Sequence, residues 1–154
     1  MHSFTLAGFK VSRRTEFSNG VAHNGCDYDV LLLDSFGELG RFYGIADVAF
    51  IGSSLVPINE RRGGHNLLEP LVHGVPPLFG PHMNLWRPVT QKLLNVWPSL
   101  EVNSAETLAE SASQVFKGKA PLSAIGEVGM QLVELREDAV ERTMAFLQDR
   151  GGLF

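Results

Sequence analysis

Two kinds of apolar spacing alternate along this chain. Short continuous runs of β-branched residues and leucine recur at Asp29-Val30-Leu31-Leu32-Leu33-Asp34, at Asp47-Val48-Ala49-Phe50-Ile51-Gly52 and at Val75-Pro76-Pro77-Leu78-Phe79-Gly80. Runs of this length, closed by Asp or Gly, predict buried parallel strands. Phe9-Lys10-Val11-Ser12 and Leu100-Glu101-Val102-Asn103 predict two more. The prolines at 76 and 77 cannot donate to a ladder, so that strand should be short or irregular at its start.

Between the runs the spacing becomes helical. Glu38 to Ile45 predicts a short helix, and Asn66 to His73 another, with Asn66 and Glu69 at capping-box spacing and Gly74 as its stop. Leu85, Val89 and Leu93 share one face of a third. Asn103 and Glu106 form a second capping box ahead of Leu108, Ala112 and Val115. The last helix, Ala124 to Asp149, carries Met130, Val133, Val140, Met144 and Leu147 along one stripe. Strands alternating with helices predict an α/β fold: a Rossmann-like parallel sheet with helices on both faces. Thr15 to Tyr28, with its Asn19-Gly20 and Asn24-Gly25 pairs, reads as a long surface loop. No internal repeat or low-complexity tract interrupts this order.

Composition narrows the class. The chain has 154 residues, 44% of them hydrophobic, which is enough for one globular core. Thirteen Lys and Arg against 17 Asp and Glu leave a net charge of −4, so nucleic acid is not an expected partner. A single cysteine, Cys26, supports neither a disulfide framework nor a zinc-cysteine cluster, and fits a reducing compartment. No apolar run reaches the roughly 18–20 residues of a membrane span, and the start lacks a signal-peptide pattern. The expectation is a soluble intracellular unit.

Open parallel sheets bind ligands past the carboxyl ends of their strands, so the loops there hold the candidate chemistry. In Asp34-Ser35-Phe36-Gly37-Glu38-Leu39, Gly37 permits close approach of a ligand, although a plain strand-to-helix turn would read the same way. Gly52-Ser53-Ser54 is followed by Arg61-Arg62-Gly63-Gly64-His65-Asn66. Paired glycines running into a helix start predict a phosphate cradle of outward-facing amides. His65 and Glu69 share a helical face there, the one suited to a phosphate oxygen, the other to ribose hydroxyls or simply to capping with Asn66. Arg61 and Arg62, like Arg13 and Arg14, suit an anion or a solvated surface. Gly80-Pro81-His82-Met83-Asn84 is a third turn with two polar side chains. His65, Glu69 and His73 have metal-like spacing, but Pro70 disturbs the turn between them and no metal is expected. Cys26 has no evident partner for nucleophilic chemistry, and Trp86 and Trp97 read as packing residues. No nucleophile elbow, Walker loop or dinucleotide fingerprint is present.

Four blocks carry a resemblance. Leu31 to Leu39, Ala46 to Leu55, Gly63-Gly64-His65-Asn66-Leu67-Leu68-Glu69-Pro70, and Gly80 to Asn84 resemble, in order and spacing, the C-terminal half of the 3-deoxy-D-manno-octulosonic acid (Kdo) transferases. The Gly-Gly-His-Asn-x-x-Glu-Pro block is the strongest of the four, and the flanks fit more loosely. The resemblance implies the C-terminal half of a GT-B glycosyltransferase fold. Its enzyme transfers Kdo from CMP-Kdo to a lipid A precursor in lipopolysaccharide biosynthesis, without metal or cofactor, at the cytoplasmic side of the inner membrane. Residue by residue, Gly37, Glu38 and Leu39 would face the cytidine. Ser53, Gly64, His65 and Asn66 would meet the phosphate or the Kdo, and Glu69 the ribose. The family's usual Gly-Gly-Ser is Gly52-Ser53-Ser54 here, which makes close backbone approach less certain at that point.

The resemblance further implies that residues 1–154 form one partial CMP-sugar-binding domain of a longer enzyme. The acceptor domain with the catalytic base, membrane attachment, the first strand of this domain and a Val-Pro-Arg-His-type loop would lie outside it. Alone it should not transfer sugar, and an exposed interdomain face could drive self-association. Other readings are another GT-B enzyme, such as a UDP-sugar transferase or the UDP-GlcNAc 2-epimerase type, and a non-catalytic Rossmann-like interaction module.

Overall fold

A computed structural model describes residues 2–17, 27–57 and 63–149. The chain divides into two compact units, one ending at Phe42 and one beginning at Tyr43.

The smaller unit holds helix α1 (His2–Leu6), strand β1 (Val11–Arg13), strand β2 (Val30–Leu32) and the start of helix α2 (Leu39–Tyr43). β1 and β2 pair in parallel, with Val11 opposite Val30 and Arg13 opposite Leu32. Lys10 fixes this register, since its carbonyl accepts from the Asp29 and Val30 amides while its own amide donates to the Asp29 carboxylate at 2.8 Å. β2 is not a buried strand as its sequence predicts. Val30 and Leu31 are only half-buried and Leu32 is exposed, because among the described residues the strand has a single ladder neighbour. Within the expected Thr15–Tyr28 loop, Thr15 and Glu16 lie in a 3-10 turn and Phe17 packs on Tyr28. Residues 18–26, and with them Cys26, lie outside the described residues.

The larger unit carries the hydrophobic core. Strand β3 (Ala49–Phe50) pairs in parallel with β4 (Pro77–Leu78), and Phe79 continues β4 into a parallel bridge with Glu101. The prolines shorten β4 as expected, yet they do not cost it its neighbour. Pro76 and Leu78 contribute carbonyls, which accept from the Ala49 and Ile51 amides at 3.1 and 2.8 Å. On the other edge the Phe79 amide donates to Leu100 and its carbonyl accepts from Val102. Pro76, Pro77, Leu78 and Phe79 are thereby fully buried at the centre of the unit.

Helices α3 (Leu68–Val72), α4 (Arg87–Val96), α5 (Ala105–Phe116) and α6 (Leu122–Asp149) surround this sheet. Leu67, Leu71, Leu93, Trp97, Val115, Ile125 and Val128 close over Leu78 and Phe79. Three helix expectations shift. Ser104, rather than Asn103, caps α5, exchanging bonds with Thr107 in a capping box. In α4, Val89 and Leu93 pack inward while Leu85 sits exposed in the preceding 3-10 turn. The buried line of α6 is Ile125, Val128 and Gly129, with Leu132 half-buried against the core, whereas Met130, Met144 and Leu147 are exposed. Gly129 sets that rotation: a Cβ there would lie 2.7 Å from the Leu71 carbonyl oxygen, so α6 can approach α3 only along its glycine. Among the described residues, no helix is long and apolar enough to cross a membrane.

Candidate functional site

The candidate residues fall into two groups, one in each unit. In the smaller unit the loop after β2 is held by two carboxylates. Asp34 accepts from the Thr15 amide at 3.0 Å and from the Thr15 hydroxyl at 2.7 Å. Glu38 accepts from the Ser35 hydroxyl and from the Arg14 guanidinium, the latter at 2.8 Å. Thr15 and Arg14 are thus the ties that shape this loop. Arg14 serves an internal ion pair rather than an open anion site, and Glu38 presents a carboxylate already engaged by its neighbours. Gly37 takes φ +80°, which a side chain resists, and a Cβ on it would meet no atom within 4 Å. The turn therefore projects Phe36 fully into solvent, with Leu39 also exposed.

The Thr15 hydroxyl bond holds Asp34 below the ordinary carboxylate range, against a smaller opposing effect of burial. The Ser35 hydroxyl does the same for Glu38, assisted by Arg14. A depressed carboxylate contributes stability that is complete above its ordinary value, here 3.8 and 4.5, and is lost as pH falls through the lower folded value. Acid titration should therefore loosen the smaller unit below about pH 4. Amide shifts of Thr15 and Ser35 would follow that step. Asp34→Asn should remove it at Thr15, and a step surviving in that variant would refute the assignment.

In the larger unit three loops meet past the carboxyl ends of β3 and β4. The Gly64 amide donates to the Ser53 carbonyl at 2.8 Å and the His65 amide to the Gly52 carbonyl at 3.1 Å. These two amides therefore face inward, joining loop to loop, and do not form the outward cradle that the glycine pair predicts. The loop after β4 closes the third side. The buried Ser54 hydroxyl donates to the Ile51 carbonyl at 2.5 Å and accepts from the Gly80 amide at 2.8 Å, while the Ser54 carbonyl accepts from His82. Ser54 belongs to the Gly52-Ser53-Ser54 loop that the sequence singles out, but its buried bridging role carries no sequence signal. Gly63 and Gly64 pack against His82 and Met83 so closely that an added Cβ would fall 2.1 Å from the His82 carbonyl oxygen and 1.9 Å from the Met83 sulfur. The glycines are required for packing, a reason different from phosphate approach.

The side chains on this framework are polar and open. Ser53 Oγ and His65 Nε2 lie 3.1 Å apart. Asn66 accepts from the Leu68 amide at 3.0 Å and donates from its side-chain nitrogen to Glu69 at 2.8 Å. The predicted capping box is thus half formed, because Glu69 reaches the Asn66 side chain rather than its backbone. Tyr43 stacks on His73 at a ring separation of 6.0 Å, and its hydroxyl is held above the usual tyrosine range by burial and then by the charge of Glu69. Ser53, Gly64, His65, Asn66 and Glu69 are accordingly brought together. Gly37, Glu38 and Leu39 belong to the other unit, and Arg61 and Arg62 lie outside the described residues. Asn84 is exposed and His82 half-buried beside the glycines, while Trp97 is buried in the core with Trp86 packed against it.

This fold has a solved counterpart. The C-terminal CMP-Kdo binding domain of WaaA from Acinetobacter baumannii superposes with a TM-score of 0.69 at 24% identity, over 86% of this chain and 65% of that one. The two share a fold: parallel strands with helices packed around them. By sequence the chain is similar to the 3-deoxy-D-manno-octulosonic acid transferases. It is 36% identical over 120 residues to that enzyme of Haemophilus influenzae, a match covering 77% of this chain and 27% of the relative. The Chlamydia trachomatis serovar D enzyme is 32% identical over 123 residues, covering 80% and 28%. The Bordetella pertussis enzyme is 32% identical over 143 residues, covering 93% and 32%. The chain therefore spans between a quarter and a third of the length of these curated relatives. No protein-family profile matches it.

Proposed function

We propose that the chain is the donor-binding domain of a glycosyltransferase that moves Kdo from CMP-Kdo to a lipid A precursor. One observation carries the reading. A chain 36% identical to a Kdo transferase gathers Ser53, His65, Asn66 and Glu69 at the carboxyl ends of two parallel strands, where open α/β sheets take their ligands.

In this reading Glu69, steadied by Asn66, accepts from the ribose hydroxyls, and His65 donates to a phosphate oxygen of CMP. Within the smaller unit, with the Glu38 carboxylate engaged, the backbone of Gly37, Glu38 and Leu39 and the exposed Leu39 side chain are the groups available to a base. Transfer forms a bond from an acceptor oxygen to the anomeric carbon of Kdo as the bond to the CMP phosphate breaks. The hydroxyl proton passes to a base on another part of the enzyme. The share of this domain is to stabilise the negative charge on departing CMP, which a histidine does most strongly away from bulk water. No metal enters this scheme. The acceptor, the cytoplasmic face of the inner membrane and any pairing of domains belong to the rest of the enzyme.

Calorimetric titration of the chain with CMP and with UMP tests the reading. Binding of CMP in preference to UMP is the expected result. Preference for UMP would transfer the site to uridine-sugar enzymes, and binding of neither would leave an interaction module.

A further inference from the structure

We propose that Ser53 is a positioning residue, which fixes the neutral His65 ring as its Nδ1–H tautomer and turns that N–H toward the donor phosphate. The proposal rests on the donor-binding reading above and adds the atom through which His65 acts.

Ser53 has φ +61°, the one non-glycine residue with positive φ among the described residues. Glycine adopts this conformation readily, whereas serine is strained there. A serine kept in such a place calls for a compensating interaction, and the one at hand is its hydroxyl, 3.1 Å from His65 Nε2. The backbone at the same two residues is also committed. Ser53 and Gly52 carbonyls accept from the Gly64 and His65 amides, so the serine side chain and the histidine ring are brought face to face by two loop-to-loop bonds.

The ring's orientation follows from Gly52. A Cβ on Gly52 would lie 3.2 Å from His65 Cδ2 and 3.8 Å from Nε2, so the Cδ2–Nε2 edge rests on the Gly52-Ser53 turn. The opposite edge, with Nδ1, is turned away from that turn. A neutral imidazole has one donor and one acceptor nitrogen. When the Ser53 hydroxyl donates to Nε2, the proton must reside on Nδ1, and the outward edge is a donor suited to an anionic oxygen. When the ring is charged, Nε2–H donates to the hydroxyl and Nδ1–H remains a donor. In both of these arrangements the outward nitrogen presents a proton; only a neutral ring whose Nε2–H donates to the hydroxyl would turn the Nδ1 lone pair outward, and an anionic ligand at Nδ1 disfavours it. Without the hydroxyl, the neutral ring is free to place its lone pair outward, which repels a phosphate.

The test uses the chain with ¹⁵N-labelled histidine, at alkaline pH where imidazole is neutral. Imidazole ¹⁵N shifts are compared among the parent chain, Ser53→Ala and Ser53→Gly. The parent is expected to show His65 Nδ1 protonated and Nε2 as acceptor. Both variants should revert to the mixed tautomers of free histidine and bind CMP on the order of tenfold more weakly. Ser53→Gly relieves the strained φ, so its melting temperature should not fall, which separates positioning from folding. A parent ring with mixed tautomers, or an Nδ1–H ring retained in Ser53→Ala, would overturn the proposal. The tautomer is read without nucleotide: a fixed ring with no CMP binding would overturn the donor reading instead.

Discussion

Replacing Gly80 by alanine is expected to unfold the larger unit at ordinary temperatures or close to them. The added Cβ would lie 2.3 Å from the Ser54 carbonyl oxygen, 2.5 Å from its carbon and 2.6 Å from Leu55 Cα. All three are backbone atoms, so no flexible side chain can swing aside. The backbone they belong to is tied on every side: the Ser54 hydroxyl bridges the Ile51 carbonyl and the Gly80 amide, and the Ser54 carbonyl accepts from His82. Relief requires moving the loop after β3 away from the end of β4, which exposes Ser54 and breaks these bonds together. Overpacking of this kind reaches the upper end of its usual range, about 3 kcal/mol or more. For a unit spanning residues 43–154, between the small and large size classes, that is a fall of roughly 9–18 °C in Tm. Thermal unfolding followed by circular dichroism checks it. Gly118→Ala is the control, since nothing lies within 4 Å of its added Cβ. Its positive φ makes some loss expected there too, but a smaller one. Equal losses in the two variants would mean that the close approach at Gly80 is not a constraint.

The second large effect is on ligand binding. His65→Ala is expected to weaken CMP binding by about 10–100-fold, the worth of one charge-assisted hydrogen bond. Glu69→Ala should lose about tenfold through the ribose contacts. Both side chains are exposed, and neither supports the core, so Tm should change little. The two losses should combine nearly additively, because the residues engage different parts of the nucleotide. Unchanged CMP affinity in both variants, with folding intact, would remove these residues from the site.

Much of the fold was legible in the sequence for a plain reason. Continuous apolar runs such as Val48 to Ile51 have nowhere to go but the sheet, and the glycines and polar turns after them mark the strand ends. What failed was detail that depends on a packing partner. The large apolar residues of α6 predict a stripe through Met130 and Val133. The helix packs instead along Ile125, Val128 and Gly129, where the smallest residue allows the closest approach to Leu71. The cap of α5 lies one residue later than expected, because Asn103 and Ser104 both suit a cap and it is the Ser104 hydroxyl that accepts from the Thr107 amide. The burial expected for β2 depended on neighbours that a run of leucines cannot specify.

The candidate site was legible as residue types and misread in direction. Gly63-Gly64-His65-Asn66 ahead of a helix pointed to a ligand loop, and Ser53, His65, Asn66 and Glu69 do come together. The amides of Gly64 and His65 nevertheless face the Gly52-Ser53 turn, and α3 is only five residues long, so backbone and dipole offer an anion less than the pattern promised. Recognition is thereby moved onto side chains. No local pattern could reveal this, since the acceptors, Gly52 and Ser53, are more than ten positions away. The same distance hid the role of Ser54, whose hydroxyl joins two strand ends.

The central proposal is that CMP is held by the loops past β3 and β4. Amide shifts of the labelled chain during CMP titration test it most directly. Saturable shifts are expected at Ser53, Gly64, His65, Asn66 and Glu69, with α5 unmoved. Shifts confined to other surfaces, or none at saturating CMP, would contradict it.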